Sequence, residues 1–316
     1  MHLERMGGAW REGRHRDDPT ARGAGIGVIR YPHIIAVGGL GGSGTRVIAR
    51  MLQMLDIYVG GSLNSKLDNL WFTLLFKRPT WFRTMPEPDD FFFALSMFRR
   101  AMEDGLAGNL PREAEERLRT IKVEARRTGE SLGLTATTLE EFLYSRGYDR
   151  RRFRGWGWKE PNTHVFLPQI AAAIPNLKYV HVIRNGLDMA FSSNQQQLAN
   201  WGALIGRVEV DGVRLSPKMA LDFWITANRR ATDIGNVLGP DMFHLLNYDR
   251  LCANPEEEIR GLLRFLRLDG HDADPDLLKQ IIAPVSVGRF RNHPDHGFTP
   301  DQLEAVRELG FTDTGL

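Results

Sequence analysis

A glycine-rich segment between an apolar run and a helical pattern is the first feature of the chain with chemical meaning. It reads Val37-Gly38-Gly39-Leu40-Gly41-Gly42-Ser43-Gly44-Thr45-Arg46. Glycines allow successive backbone N–H groups to point into one concavity, and the start of the following helix adds positive potential there. The hydroxyls of Ser43 and Thr45 can add further donors. The segment therefore predicts a cradle for a phosphate group.

Two well-known nucleotide-binding loops fit this segment poorly. The loop of nucleoside triphosphatases has a lysine after its last glycine, whereas Thr45 follows Gly44 here. The lysine that meets the terminal phosphates is therefore missing. A dinucleotide fingerprint can be traced through Gly39, Gly41 and Gly44, but it requires an acidic residue about 20 positions further on, and Asp56 comes too early. Neither loop accounts for the segment.

A second group of candidate phosphate ligands follows another predicted strand, at residues 179–183. Arg184 comes directly after this strand, at the end where open α/β sheets bind their ligands. Ser192 follows about two turns into the next predicted helix. Arginine and serine side chains can bind a phosphate group together through charge-assisted hydrogen bonds. The two residues predict a second phosphate site, distinct from the glycine-rich loop.

The elements that must position these residues alternate along the chain. Three short apolar strands are predicted, each next to a helical stretch, at residues 34–37, 179–183 and 243–246. This alternation is typical of βαβ units and a parallel sheet covered by helices. We therefore expect a three-layer α/β fold with a P-loop-like parallel sheet flanked by helices. Residues 60–155 show no convincing strand, and we expect a helical insertion there.

Length and composition bound the class of protein. The 316 residues include 41 Lys and Arg against 39 Asp and Glu, and 42% are hydrophobic. This is ordinary globular composition, which excludes a disordered, collagen-like or strongly basic nucleic-acid-binding chain. The single cysteine, Cys252, excludes an internal disulfide and a cysteine-rich metal site.

The distribution of apolar residues also bears on location and domain organisation. No apolar run approaches the roughly 18–20 residues of a membrane-spanning helix. Residues 1–30 are rich in glycine and arginine and lack the apolar core of a signal peptide. We expect a disordered leader over residues 1–30, a single domain over 31–316 and a cytoplasmic location.

The motifs, taken in order, resemble those of the sulfotransferases that use 3′-phosphoadenosine-5′-phosphosulfate (PAPS). The family's 5′-phosphosulfate loop is matched by Gly42-Ser43-Gly44-Thr45-Arg46. Its 3′-phosphate motif, an arginine followed by a serine, is matched by Arg184 and Ser192. The family's tyrosine-acidic-x-leucine stretch is similar to Tyr248-Asp249-Arg250-Leu251. A Gly-Arg element that is common in bacterial and Golgi-type members is similar to Gly288-Arg289.

The resemblance extends over most of the chain and carries a function with it. Trp158-Lys159-Glu160-Pro161 resembles the Lys-x-Pro stretch of tyrosylprotein and bacterial members. The resemblance implies transfer of a sulfuryl group from PAPS to a hydroxyl or amine, with PAP as the product and no metal ion. The donor-binding residues that it implies are Gly41, Gly42, Ser43, Gly44, Thr45, Arg46, Arg184, Ser192, Tyr248, Gly288 and Arg289.

One position departs from the family pattern. Many members carry lysine or arginine directly before the loop serine, where the cation balances charge on the bridging oxygen, and this chain has Gly42 there. Either Arg46 or Lys159 supplies the positive charge, or the enzyme is impaired. We favour Lys159, with Arg46 closer to the 5′-phosphate.

The acceptor hydroxyl needs a general base, and branches of the family use either histidine or glutamate. Asp68 is the first candidate, because it lies where the glutamate-using branches place their base. The alternative role of Asp68-Asn69 is to cap a helix. Glu160, next to Lys159, is the second candidate and His164 the third. His181, in the middle of a predicted strand, is interpreted as a core histidine.

The acceptor itself is left open. Nine aromatic residues between 71 and 98 predict either the core of a helical cap or a hydrophobic acceptor channel. The basic run Arg150-Arg151-Arg152-Phe153-Arg154 suits an acidic acceptor or a solvated loop. A small molecule, glycan, lipid or peptide could serve as acceptor, and nucleic acid is not expected. Two other functions stay open: a degenerate P-loop kinase or nucleotide hydrolase, and a PAP-binding module without turnover.

Overall fold

Five parallel strands form the centre of the protein. In the computed structural model they are β1 His33–Gly39, β2 Ile57–Tyr58, β3 Gly155–Lys159, β4 Leu177–Ile183 and β5 Phe243–Asn247. Their order in the sheet is β2-β3-β1-β4-β5, and every pairing is parallel. The predicted parallel sheet is therefore confirmed, with β1 in the middle and the strand that follows the insertion beside it.

The structure describes residues 33–126, 134–206, 214–268, 274–282, 287–293 and 297–312. All of these lie in one compact unit, Pro32–Leu316. The predicted leader, residues 1–30, lies outside the described residues.

Helices connect the strands and cover both faces of the sheet. The α-helices of the described residues are α1 Thr45–Met54, α2 Leu70–Phe76, α3 Pro88–Glu103, α4 Arg112–Arg126, α5 Thr138–Leu143, α6 Leu167–Ala173, α7 Gly186–Ala190, α8 Gln196–Trp201, α9 Pro217–Leu238, α10 Tyr248–Ala253, α11 Pro255–Leu266, α12 Pro275–Lys279 and α13 Pro300–Glu308. Short 3₁₀ turns lie at Pro79–Trp81, Pro161–Phe166 and Arg289–Asn292, and a π-helical turn lies at Gly202–Gly206.

The two faces of the sheet belong to two hydrophobic cores. Side chains alternate along β1, so Ile34 and Ala36 join the larger core while Ile35 and Val37 join the smaller one. The smaller core packs against α1 and α11, and the larger core packs against α2, α3 and α9. The fold thus has three layers, as the alternation of elements predicts.

Strand β3 has no counterpart among the predicted strands. Its sequence, Gly-Trp-Gly-Trp-Lys, lacks the β-branched residues on which such a prediction depends. The glycines are required because a Cβ at Gly155 or Gly157 would collide with backbone atoms of β1. Trp156 and Trp158 stack on one face with ring centroids 5.8 Å apart. The strand is thus defined by its packing against β1.

The insertion between β2 and β3 is helical, as expected, and contains α2 to α5. Six of its nine aromatic residues between 71 and 98 are buried: Trp71, Phe72, Phe76, Trp81, Phe91 and Phe98. The ring centroids of Phe72 and Phe76 are 4.3 Å apart. These six side chains form the core of the cap and not the lining of an open channel. In the basic run, Arg150 pairs with Asp104 at 3.1 Å on the surface, as in a solvated loop.

Candidate active site

The glycine-rich loop joins the end of β1 to the start of α1. Gly39, Gly42 and Gly44 have φ values of 143°, 101° and 99°, which side-chain-bearing residues rarely adopt. A Cβ at Gly44 would also collide with the ring of Tyr248. At Gly42 the nearest atom to such a Cβ is 3.5 Å away. A side chain at position 42 would therefore meet an unfavourable backbone conformation but no crowding.

The hydrogen-bond donors of the loop are suited to binding an anion. The Ser43 N–H donates to the carbonyl of Leu40 at 3.0 Å, which closes the turn. The Ser43 hydroxyl is buried and has no hydrogen-bond partner among the described residues. Helix α1 begins after Gly44 with no side-chain cap and no acidic residue in its first turn. An anion at this position would receive donors that this part of the chain does not use itself.

Arg184 lies against this loop because β4 is the neighbour of β1. Its Nη1 is 3.4 Å from the carbonyl oxygen of Gly42, and its guanidinium carbon is 5.5 Å from the centre of the Tyr248 ring. Tyr248 begins α10 directly after β5, and burial raises its pKa to about 12. The ends of three strands thus bring the loop, the arginine and the tyrosine together.

Ser192 lies near the loop, but not inside a helix as predicted. Helix α7 ends at Ala190, because the Gln195 side chain donates to the carbonyls of Met189 and Ser192 at 3.0 and 2.9 Å and so caps the turn. The Ser192 hydroxyl is 3.7 Å from the position of a Cβ at Gly42. The predicted proximity of Ser192 to the loop therefore arises from a turn.

Gly288 and Arg289 reach the same region from the C-terminal part of the chain. Arg289 Nη1 is 3.5 Å from the carbonyl oxygen of Phe191, the residue before Ser192. The ring of His293 stacks on Phe191 with centroids 4.0 Å apart. Gly288-Arg289, the last of the motifs predicted to bind PAPS, thus lies beside α7.

Lys159 ends β3 opposite Val37 of β1, at the edge of the sheet where the glycine-rich loop begins. Its side chain is 2% exposed. The ammonium donates to the carbonyl of Lys66 at 2.7 Å and forms an ion pair with the carboxylate of Asp68. Burial lowers the pKa of Lys159, and the charge of Arg46 lowers it too, whereas Asp68 opposes the shift. Lys159 and Asp68 thus form a charged pair in which the ammonium is buried and the carboxylate is partly exposed.

The carboxylate of Asp68 is available for this pair because its neighbour caps the helix. The Asn69 side chain accepts a hydrogen bond from the N–H of Phe72 at 3.0 Å and so caps the N-terminus of α2. The other oxygen of Asp68 accepts from Asn64 Nδ2 at 2.9 Å, and the side chain is 17% exposed. Of the two roles predicted for Asp68-Asn69, Asn69 takes the cap and Asp68 faces Lys159.

The other two candidate bases are enclosed by partners of their own. Glu160 accepts from the backbone N–H of Asn162 at 2.7 Å and lies 3.4 Å from Lys77 Nζ. Burial raises its pKa. His164 Nε2 is 3.3 Å from Gln197 Oε1, and burial together with the charges of His181 and Arg230 lowers its pKa to about 3. Both side chains are buried, and Nδ1 of His164 has no hydrogen-bond partner among the described residues.

His181 is a core histidine, as predicted. Its ring nitrogens lie 3.1 Å from the Tyr179 hydroxyl and 3.0 Å from Asn228 Oδ1. Burial lowers its pKa to about 4.

Three residues around the site are not among the candidates that the sequence predicts. Gln197 Nε2 donates to the carbonyl of Gly39 at 3.2 Å, which ties α8 to the loop. Asn194 lies 2.9 Å from the position of a Cβ at Gly41. Asp188, discussed below, joins α7 to Gly288. Of the three, only Asp188 has a signal in the sequence, since a carboxylate four residues after Arg184 is within reach of an ion pair with it.

The described residues contain neither a cluster of metal ligands nor a membrane-spanning helix. No group of three or more histidine, cysteine, aspartate or glutamate side chains is placed to hold a metal ion within them. No helix in this part of the chain is long and apolar enough to cross a membrane.

Several solved structures are similar to this chain at low identity. The sulfotransferase domain of the Synechococcus PCC 7002 olefin synthase is 15% identical with a TM-score of 0.47, covering 95% of this chain and 98% of that domain. The sulfotransferase domain from the curacin biosynthetic pathway is 15% identical with a TM-score of 0.45, covering 89% and 98%. A sulfotransferase from Mycobacterium avium is 12% identical with a TM-score of 0.42, covering 89% and 76%.

The amino-acid sequence of the chain matches that of another protein and the model of a protein family. An uncharacterized protein of Aquifex aeolicus is 32% identical over 119 residues, which is 36% of this chain and 14% of that relative's length. A model of the sulfotransferase family matches residues 32–272, which include the glycine-rich loop, Lys159, Arg184 and Tyr248. Because the match covers most of the chain and the residues that form the site, the chain belongs to the sulfotransferase family.

Proposed function

We propose that the chain transfers a sulfuryl group from PAPS to a hydroxyl or amine of an acceptor. The observation that carries the proposal is the contact between the glycine-rich loop at the end of β1 and Arg184 at the end of β4. The loop offers backbone donors and the buried Ser43 hydroxyl. Arg184 Nη1 lies 3.4 Å from the carbonyl of Gly42, and the Ser192 hydroxyl lies near the same glycine. A donor with a 5′-phosphosulfate and a 3′-phosphate fits two neighbouring sites.

The transfer requires in-line approach of the acceptor to sulfur. The acceptor oxygen forms a bond to sulfur while the bond from sulfur to the bridging oxygen of the donor breaks. The acceptor proton goes to a base, and negative charge appears on the 5′-phosphate of PAP. Because the transition state is loose, positioning and charge stabilisation supply most of the rate.

In this reaction Lys159 stabilises the leaving oxygen. An ammonium has three donors, and two of those of Lys159 are used by Lys66 and Asp68 among the described residues. The third can serve the oxygen on which charge develops. This cation replaces the one that the family carries at the position of Gly42.

Asp68 is the proposed general base. Its carboxylate is partly exposed and contacts Lys159, so it can accept a proton from an acceptor bound at the same edge of the sheet. Glu160 and His164 are not proposed, because their side chains are buried against Asn162, Lys77 and Gln197. The acceptor is a small molecule, glycan, lipid or peptide. The cytoplasmic location and the single-domain organisation stay predictions from the sequence.

Ligand-induced stabilisation tests whether the sulfuryl donor is PAPS. A ligand at 100 times its Kd raises the free energy of unfolding by about 2.7 kcal/mol. We expect PAP to raise the melting temperature, and ATP with Mg²⁺ or NAD to leave it unchanged. A shift with ATP and Mg²⁺ but none with PAP supports the degenerate kinase instead. PAP binding without PAP release from PAPS across an acceptor panel supports a binding module, which the missing cation at Gly42 would explain.

A further inference from the structure

Asp188 is a buried carboxylate that contacts two distant segments of the chain. Its side chain is 1% exposed. Oδ2 accepts the N–H of Gly288 at 2.8 Å and Oδ1 accepts the N–H of Phe290 at 3.0 Å, across 100 residues of sequence. Oδ2 also lies 3.6 Å from Nη2 of Arg184. One side chain thus joins the end of β4 to the C-terminal turn.

The two hydrogen bonds lie on either side of Arg289. Because the amides before and after this residue are bound to one carboxylate, the position of the Arg289 backbone is defined. Gly288 permits the geometry, since its φ of 82° lies in the left-handed region. The Arg289 side chain then extends to the carbonyl of Phe191, next to Ser192.

The charges are consistent with an indirect role. A buried carboxylate is costly unless hydrogen bonds and opposite charge compensate it, and the two amides and Arg184 do so here. A carboxylate repels a phosphate group, so Asp188 itself does not bind PAPS. Its effect is to link Arg184, which precedes α7, to the turn that carries Arg289.

We propose that Asp188 is a positioning residue for the donor site, which orients Arg184 and places Arg289 so that both bind the 3′-phosphate with Ser192. The inference rests on the proposed function. It assigns to Asp188, which carries no donor-binding role in the sequence motifs, part of the affinity for PAP that depends on the 3′-phosphate.

Calorimetry with PAP and with adenosine 5′-monophosphate, which lacks the 3′-phosphate, tests the proposal. We expect Asp188→Asn to weaken PAP binding about tenfold, because charge-assisted hydrogen bonds are lost, and to change the affinity for adenosine 5′-monophosphate less than about twofold. Glu258→Gln is the matched control, because it neutralises a carboxylate of α11 that pairs with Arg250 of α10. It should change neither affinity. Equal losses for the two ligands indicate a merely structural role and overturn the proposal, as does unchanged PAP binding.

A second variant keeps the test decisive if Asp188→Asn does not fold. Arg289→Ala removes a partly buried side chain outside the core and should also weaken the binding of PAP but not that of adenosine 5′-monophosphate. Unchanged PAP affinity in Arg289→Ala overturns the inference. If the unmodified protein binds PAP no more tightly than adenosine 5′-monophosphate, the proposed PAPS function is wrong, and that result is distinct from either outcome for the variants.

Discussion

The ammonium of Lys159 contacts the carboxylate of Asp68, 91 residues earlier in the chain, at the edge of the sheet where the glycine-rich loop begins. This pair holds a buried cation and a partly exposed potential base side by side. Four predictions test this arrangement and the donor site around it.

Removing the ammonium should impair turnover far more than donor binding. We expect Lys159→Ala to lower kcat on the order of 100-fold or more, by analogy with the loss of one oxyanion donor, with the Kd for PAP within a few-fold. An interaction that strengthens in the transition state acts mainly on kcat. Lys159→Arg should recover part of the rate, because its planar fork differs from a point charge. An unchanged kcat with a lower melting temperature would assign Lys159 a structural role and move the catalytic charge to Arg46.

The pH dependence of kcat should report the charge of Lys159. Burial lowers the pKa of Lys159 below 10.5, and Asp68 opposes this shift. Since the protonated form is required, kcat should fall as pH rises through the lowered pKa, before pH 10.5 is reached. In Asp68→Asn the opposing charge is gone, so the alkaline limb should move to lower pH. The overall rate should also fall by about 100-fold or more through loss of the base. An alkaline limb that does not move would contradict the coupling of the two residues.

Binding of the 3′-phosphate of PAP should depend on Arg184. We expect Arg184→Ala to weaken PAP binding roughly 10–100-fold, since hydrogen bonds to charged groups contribute about 1.5–3 kcal/mol each. Adenosine 5′-phosphosulfate, which lacks the 3′-phosphate, should lose little, because the contact of Arg184 with the Gly42 carbonyl is long at 3.4 Å. Arg229→Ala is the control, as this surface arginine pairs with Glu308 away from the site. Calorimetry that finds equal losses for both ligands speaks against the assignment.

The glycine at position 44 should be needed for space as well as for backbone conformation. Gly44 and Gly108 both have positive φ, 99° and 75°, but only at Gly44 does a Cβ collide with a neighbour, the Tyr248 ring. Gly108→Ala should therefore cost about 1–2 kcal/mol of unfolding free energy through strain alone. Gly44→Ala should cost more and also weaken PAP binding. Chemical unfolding and calorimetry on both variants measure this difference, and equal effects would show that the Tyr248 contact is unimportant.

The sequence alone determined the parts of the site that depend on local order. A glycine-rich turn between an apolar strand and an amphipathic helix predicts an anion cradle, and Arg184 after a second apolar strand predicts another ligand at the same edge. Both predictions need only short-range periodicity and the general geometry of parallel sheets. The three layers follow from the same alternation.

Tertiary structure decided the contacts between distant residues and the side chains that lack a local pattern. Strand β3 exists because its glycines admit the backbone of β1, and its register then places Lys159 beside the loop. Asp68 is released for Lys159 because Asn69 takes the helix cap. Asp188 meets Gly288 only once the C-terminal turn packs on α7. Such pairs depend on strand order and packing, which no short window of sequence specifies, because the energy that selects them comes from contacts across the whole fold.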